Sequence, residues 1–186
     1  MAKYTACICE GSAERAILDL LLDHGELIFR REDLIEEEVL RCRKGAEFEQ
    51  RYLRKGFAEK ITVYRILDSH TEEFKLSKLY KHKVDVVNVI TAPEIEMLII
   101  FAEGNYKEYE REKRKNRQLK PSTYCKANLK YKNVKNYDFV KEYFSDIIRL
   151  KGALHEYQRV SKVRANELTL WNLLRNGEKQ NITELE

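Results

Sequence analysis

The sequence predicts an α/β fold: a parallel sheet flanked by helices, with a helical second half. Three observations carry this expectation. Strand-length apolar runs occupy 3–9, 61–67 and 84–90, and near-continuous apolar runs of this kind suit parallel strands covered on both faces. The segments between them repeat their apolar residues at helical spacing. From about residue 105 onward every periodic signal is helical. Strands alternating with helices, then helices alone, argue for one α/β unit carrying a helical appendage. The expected division is 1–104 for the α/β core and 105–186 for a helical extension packed on it as a single compact domain.

Taken in order, residues 3–9 read as a buried strand and 12–23 as a helix with Ser12 at its N-cap. Ala16, Ile17, Leu20 and Leu21 share one face of that helix, and Asp23-His24-Gly25 stops it. Leu27-Ile28-Phe29 is a short strand candidate, and 32–43 permits either helix or strand. Residues 47–55 look helical with Phe48, Tyr52 and Leu53 inward. The run ITVYRIL (61–67) is the clearest strand, β-branched and alternating. A short helix is expected over 72–82, then the strand VDVVNVI (84–90). Pro93 suits the first turn of a helix over 94–102. Further helices are expected over 105–118, 122–130, 136–149, 151–163 and 165–175, and the polar tail from Gly177 is expected to fray.

Composition narrows the function classes. A hydrophobic fraction of 43% supports a real core, and no run of about 18 apolar residues points to a membrane span. The N-terminus lacks the basic and apolar regions of a secretory signal. Cys7, Cys9, Cys42 and Cys125 have no C-x₂-C spacing, and Cys7 and Cys9 share one strand face as buried thiols. A cytoplasmic, reducing location follows as the expectation. Charge is uneven. Residues 107–135 carry an excess of +8, against +4 for the whole chain, so the remainder is near −4. A basic block of this kind suggests a polyanion partner, with Arg111, Lys113, Arg114, Lys115, Arg117, Lys130 and Lys132 as candidate nucleic-acid contacts. Tyr106, Tyr109, Tyr124 and Tyr131 interleave with these charges and are candidates for stacking on bases.

Acidic residues recur where strands should end: Glu10 after the first, Asp68 after ITVYRIL, and Glu94 and Glu96 after VDVVNVI. The carboxyl edge of an open α/β sheet is where ligands usually bind, and neighbouring strand ends there lie about 4.8 Å apart. Oxygen-only ligands favour Mg²⁺ or Mn²⁺, which can polarise a phosphoryl oxygen and generate hydroxide for attack on a phosphodiester. His70 is a candidate metal ligand or proton donor to the leaving oxygen. No phosphate-loop or nucleophile-elbow motif is present.

These motifs also carry a resemblance. C-E-G-S-A-E-R (9–15) resembles the opening motif of Toprim-type nucleases, a strand-end glutamate followed by glycine and a second acid. I-L-D-S-H (66–70) lies where that superfamily carries D-x-D. T-A-P-E-I-E-M-L-I-I-F (91–101) and L-K-Y-K-N-V-K-N-Y (129–137) resemble segments of RloB-like proteins. The resemblance implies a Toprim-like (Rossmann-like) sheet and a Mg²⁺-dependent nuclease of the kind found beside restriction, abortive-infection and mobile-element genes, hence a phage-defence context. It implies Glu10 as metal ligand or general base, and Asp68 and Glu96 as metal ligands. It ranks Glu96 above Glu94, places Glu14 as the second acid on the exposed side of the first helix, and assigns Lys130 and Lys132 to phosphate.

The chain departs from the pattern at His70, which stands where the second aspartate would be, and at Thr91, Ala92 and Ile95. One metal, recruitment of Glu72 or Glu73, or an inactive site all remain open. The first expectation is therefore a metal-dependent nuclease acting on DNA or RNA. The alternatives are a non-catalytic nucleic-acid- or protein-binding module on a degenerate Toprim scaffold, and a protein whose helical half docks a partner or a second copy. For that last reading the apolar stripes are Leu150, Leu154 and Tyr157, then Leu168, Trp171 and Leu174.

Overall fold

The computed structural model describes residues 4–55 and 60–175, so the tail from Gly177 lies outside the described residues. The elements are β1 (Thr5–Ile8), α1 (Ser12–Asp23), α2 (Gly45–Tyr52), β2 (Ile61–Leu67), β3 (Val84–Ile90), α3 (Met97–Ala102), α4 (Tyr106–Lys115), α5 (Pro121–Ala127), α6 (Tyr137–Tyr143), α7 (Ile147–Val160) and β4 (Glu167–Leu168). The fold is α/β, with a four-stranded parallel sheet in the order β1-β2-β3-β4 and helices around it.

Beyond β1 the sheet has a fifth, rudimentary position. Leu34 and Leu40 form isolated parallel bridges to Thr5 and Ile8, on the side of β1 away from β2. The Leu40 amide donates to the Cys7 carbonyl at 2.8 Å, and the Cys9 amide to the Leu40 carbonyl at 3.1 Å. The chain thus leaves β1, passes its outer edge, and returns to β2 on the inner edge. Strand order reverses between β1 and β2, and such a switch point opens a crevice at the carboxyl ends of the two strands.

The period of two along the strands divides the core. Cys7, Cys9, Ile66 and Val89 face a large core built with α1 and α3–α7, while Ala6, Ile8, Ile61, Val63 and Val84 face a small one with Phe48, Leu40, Phe74 and Leu76. Burial pushes the Cys9 thiol up to about 12, the Cys7 thiol well above its usual value, and Cys42 to about 11, so these cysteines stay as neutral packing groups. No helix among the described residues is long and apolar enough to cross a membrane.

Several elements differ from expectation, each for a physical reason. The N-cap of α1 is Gly11, not Ser12. Leu27–Phe29 is not a strand: Leu27 makes only a bridge to Leu174. Residues 72–82 are not helical. They run extended and then turn, because Phe74, Leu76 and Tyr80 pack on the small core and Arg65 lies 4.7 Å over the Phe74 ring. Gly45 permits that path, since a Cβ there would sit 2.2 Å from the Lys75 carbonyl oxygen. The break between the last two helices falls at Phe144–Asp146, where the Asp146 carboxylate accepts from the Ile148 amide at 2.9 Å.

Residues 165–175 are also not a helix. They form β4 and a 3-10 turn (Leu170–Leu173), so the second half supplies the sheet's last strand. The middle of β3 is more open than a doubly covered strand, with Asp85 and Val86 exposed, because β4 pairs only at Asn88 and Val89. The stripes through Leu150, Leu154, Tyr157, Trp171 and Leu174 are buried within the chain, and Leu168 packs against the same core, so they form this core and not a docking face.

Phe48 is fully buried at the centre of the small core. Phe48→Ala is expected to cost about 3–5 kcal/mol of stability, read as a lower urea midpoint at unchanged slope.

Candidate functional site

The switch point places acids from three strand ends in two adjoining clefts. One, about 250 Å³, is lined by Glu10, Gly11, Glu14, Arg43, Asp68 and Glu72 among others. The other, about 170 Å³, is lined by Gly11, Glu14, Asp68, Glu94, Glu96 and Lys135 among others. Gly11, Glu14 and Asp68 are common to both, so the clefts form one acidic groove across the ends of β1, β2 and β3. The Thr91 amide and hydroxyl both donate to the Leu67 carbonyl, at 2.7 and 3.1 Å, and pin the ends of β2 and β3 beside Asp68.

Glu14 is the main correction at the site. It does not stand on the exposed side of α1 but folds back, half-buried, over Gly11. A Cβ at position 11 would lie 1.7 Å from a Glu14 carboxylate oxygen. Gly11 has ordinary extended backbone (φ −76°, ψ 142°), so the glycine serves this close approach and not an unusual dihedral. Burial raises the Glu14 pKa, and repulsion from Glu96 and Asp68 raises it further, against the pull of its own amide. Glu96 is buried. Its pKa is also raised by burial and by Glu94, although Lys135 lies 3.6 Å away. Burial opposes the charge on Glu94 as well, but the Ser122 hydroxyl at 2.9 Å together with Lys135 and Lys120 hold its pKa below the usual range. The groove therefore crowds together carboxyls of which Glu14 and Glu96 resist ionisation.

Around the rim, Glu10 is exposed and accepts an ion pair from Arg43 at 2.8 Å. Arg43 reaches on to Glu72 at 3.7 Å, and Glu72 meets the buried Arg65 at 3.7 Å. Of the two acids considered as substitutes for the second aspartate, Glu72 lines the groove, while Glu73 is exposed and pairs with Lys75. Among the described residues no three His, Cys, Asp or Glu side chains close on a common metal position. Glu10 is turned to Arg43, Glu94 to Ser122 and Lys120, and Glu96 to Lys135.

His70 lies elsewhere. Its Nδ1 is 2.8 Å from an oxygen of Glu167, which is buried on β4, and it lines a separate cleft between the 92–97 segment, α4 and the end of α7. Of the basic candidates, Arg111 pairs with Glu108 and Lys115 with Glu112 on the exposed face of α4, and Arg114 and Arg117 are exposed. Lys113 lines the His70 cleft. Lys130, at φ 65°, donates to the Ala127 carbonyl at 2.7 Å and caps α5, and Lys132 is exposed. Neither lines the acidic groove, whereas Lys135 does.

The expected aromatic platform is corrected at Tyr109 and Tyr124, while Tyr106 and Tyr131 are half-buried. Tyr109 and Tyr124 are buried against each other edge-on, Tyr131 donates to Glu103, and Tyr106 stacks on Phe101. Lys135, Arg43 and Arg65 are residues that sequence reasoning missed. For Arg65 a signal existed: a charge at an inward position of an otherwise apolar strand.

The chain matches no protein-family model, no curated protein and no solved structure.

The raised Glu96 carboxyl has a measurable consequence. Its ionised form is disfavoured in the folded state, so its contribution to stability falls as pH rises from the ordinary carboxylate range through the raised folded value. Glu96→Gln, a neutral mimic of the protonated acid, is expected to raise Tm at alkaline pH and to lose that advantage as pH falls towards about 4.5. A series of thermal melts across that range reads it.

Proposed function

We propose that this protein is a divalent-cation-dependent phosphodiesterase acting on nucleic acid. The observation that carries the reading is the convergence of Glu10, Glu14, Asp68, Glu94 and Glu96 on one groove at the switch point of the sheet. The donor set is all oxygen, which fits Mg²⁺ or Mn²⁺. Burial raises Glu14 and repulsion from Glu96 and Asp68 adds to it, which gives the groove a reason to take up a cation.

Asp68, shared by both clefts, is the central ligand in this reading, with Glu14 and Glu96 beside it and Glu10 at the rim. A cation there supplies polarisation of a phosphoryl oxygen and an activated water. The chain's own residues supply the rest. Lys135 and Arg43, now paired with Glu96 and Glu10, are placed to exchange those carboxylates for phosphate oxygens. Lys120 and Lys135 belong to the basic block and reach Glu94 and Glu96, which brings two of its cations to the groove where a polyanionic backbone would be held. The RloB-like, phage-defence context remains an expectation of the sequence resemblance.

A second reading, a non-catalytic binding module on the same scaffold, draws on His70: the residue in the second aspartate position is bonded to Glu167 outside the groove.

Cleavage of single- and double-stranded DNA and RNA with Mg²⁺ or Mn²⁺ separates the two. The phosphodiesterase reading expects cutting that stops with chelator and falls by about 100-fold or more in Asp68→Ala. Binding that survives in Asp68→Ala without any cutting by wild type selects the module. Replacing Arg111, Arg114 and Arg117 by Ala is expected to reduce the salt slope of binding by roughly one for each phosphate that is no longer neutralised, as read by fluorescence anisotropy at several salt concentrations.

A further inference from the structure

A cavity larger than either half of the acidic groove, about 670 Å³, opens on the other side of the β2 end. The Asp68-to-His70 turn separates the two: Asp68 faces the groove and His70 the cleft. The size of this cleft falls within the range of small-molecule sites. Its floor is apolar and aromatic, from Pro93, Met97, Tyr106 and Val160, and its rim is cationic, from Lys113, Arg159 and Lys162. Among the described residues of the lining, Glu110 is the one carboxylate, and outside the lining Glu156 pairs with Arg159 at 3.4 Å.

Two features distinguish this cleft from a gap between helices. The first is His70. Glu167 is buried, accepts the Arg164 amide at 2.8 Å, and lies 2.8 Å from Nδ1 of His70. A buried carboxylate on one ring nitrogen fixes the imidazole orientation and tautomer, with Nδ1–H donating and Nε2 left on the opposite edge. The second is Lys113. Its ammonium donates to the Tyr109 hydroxyl at 3.0 Å and to the Leu119 carbonyl at 3.2 Å, which holds the charge at the cleft. A held cation, two rim cations, an oriented imidazole and an apolar shelf beside them match one ligand chemistry. That chemistry is a flat heteroaromatic ring joined to a phosphate through hydroxyl-bearing carbons.

We infer that this cleft binds a nucleoside monophosphate group. The phosphate is held by Lys113, Arg159 and Lys162, and the base lies on Tyr106 and Pro93. A ribose hydroxyl hydrogen-bonds Nε2 of His70, and Glu110 takes a base amino or ribose hydroxyl donor. The group has two sources to distinguish, a free nucleotide or one residue of a polynucleotide. The site uses none of the groove acids, so it stands or falls independently of the phosphodiesterase reading.

The test is titration calorimetry of the full chain with adenosine monophosphate, inorganic phosphate, adenosine and a 5′-phosphorylated oligonucleotide. The proteins are wild type, the exposed-rim double variant Arg159→Ala/Lys162→Ala, His70→Ala, and Asp68→Ala as the groove control. Expected is saturable binding of the monophosphate, tighter than phosphate or adenosine alone. It should weaken by about tenfold per rim cation removed and in His70→Ala, and be unchanged in Asp68→Ala. If the oligonucleotide binds more tightly with the same pattern, the natural source is a polynucleotide; if it does not bind, the source is a free nucleotide. Either supports the site. No saturable monophosphate binding by wild type overturns it, as does binding equal to that of inorganic phosphate or unchanged in both the rim variant and His70→Ala. The two rim side chains lie at the surface, and circular dichroism of the double variant serves as the folding control.

Discussion

The structure depends on the reversal of strand order at β1. Because the chain bridges the outer edge of β1 through Leu34 and Leu40 before returning as β2, no crossover covers the gap between the carboxyl ends of β1 and β2. All strands are parallel, so every strand end that carries an acid points to the same edge. The groove follows from topology before any side chain is considered. What the side chains add is local: Gly11 lets the Glu14 carboxylate lie on the backbone, and Thr91 ties β3 to β2 beside Asp68.

The electrostatics of the edge are a consequence of that crowding. Burial and mutual repulsion raise Glu14 and Glu96, while Arg43, Lys120 and Lys135 hold Glu10, Glu94 and Glu96 by ion pairs. The Arg43–Glu10 pair is exposed on both sides and worth little individually, so it is readily exchanged for a better ligand. On the opposite side of the same turn the chain builds a cationic cleft, with its histidine fixed by a carboxylate from the last strand. A single residue, Ser69, thus lies between the acidic site's Asp68 and the basic cleft's His70.

Much of this is legible in the sequence. The strands 61–67 and 84–90 are found at their observed bounds because β-branched runs have few alternatives. Glu10, Asp68, Glu94 and Glu96 are found because they follow such runs. What is not legible depends on contacts distant in sequence. Two residues of β4 carry no strand signal of their own and exist only because β3 offers an edge. Residues 72–77 contain good helix formers, but Phe74 and Leu76 are taken into the small core in extended form. Glu14 reads as an exposed helical residue until Gly11 is seen beneath it. His70 sits two residues from Asp68, yet its partner is 97 residues away, so sequence proximity assigns it to the wrong site. Tyr109 and Tyr124 lie in a strongly basic stretch and are nevertheless core.

The central claim is that the strand-end acids form a cation site. Calorimetric titration of Mn²⁺ into wild type, Asp68→Asn and Glu96→Gln, at about pH 4.5, the ordinary carboxylate value, and at about pH 8, tests it most directly. The account predicts one saturable binding event in wild type, tighter at the higher pH because the raised acids must release protons to bind, and abolished in Asp68→Asn. Absence of saturable binding in wild type, or binding unchanged in both variants, would contradict it.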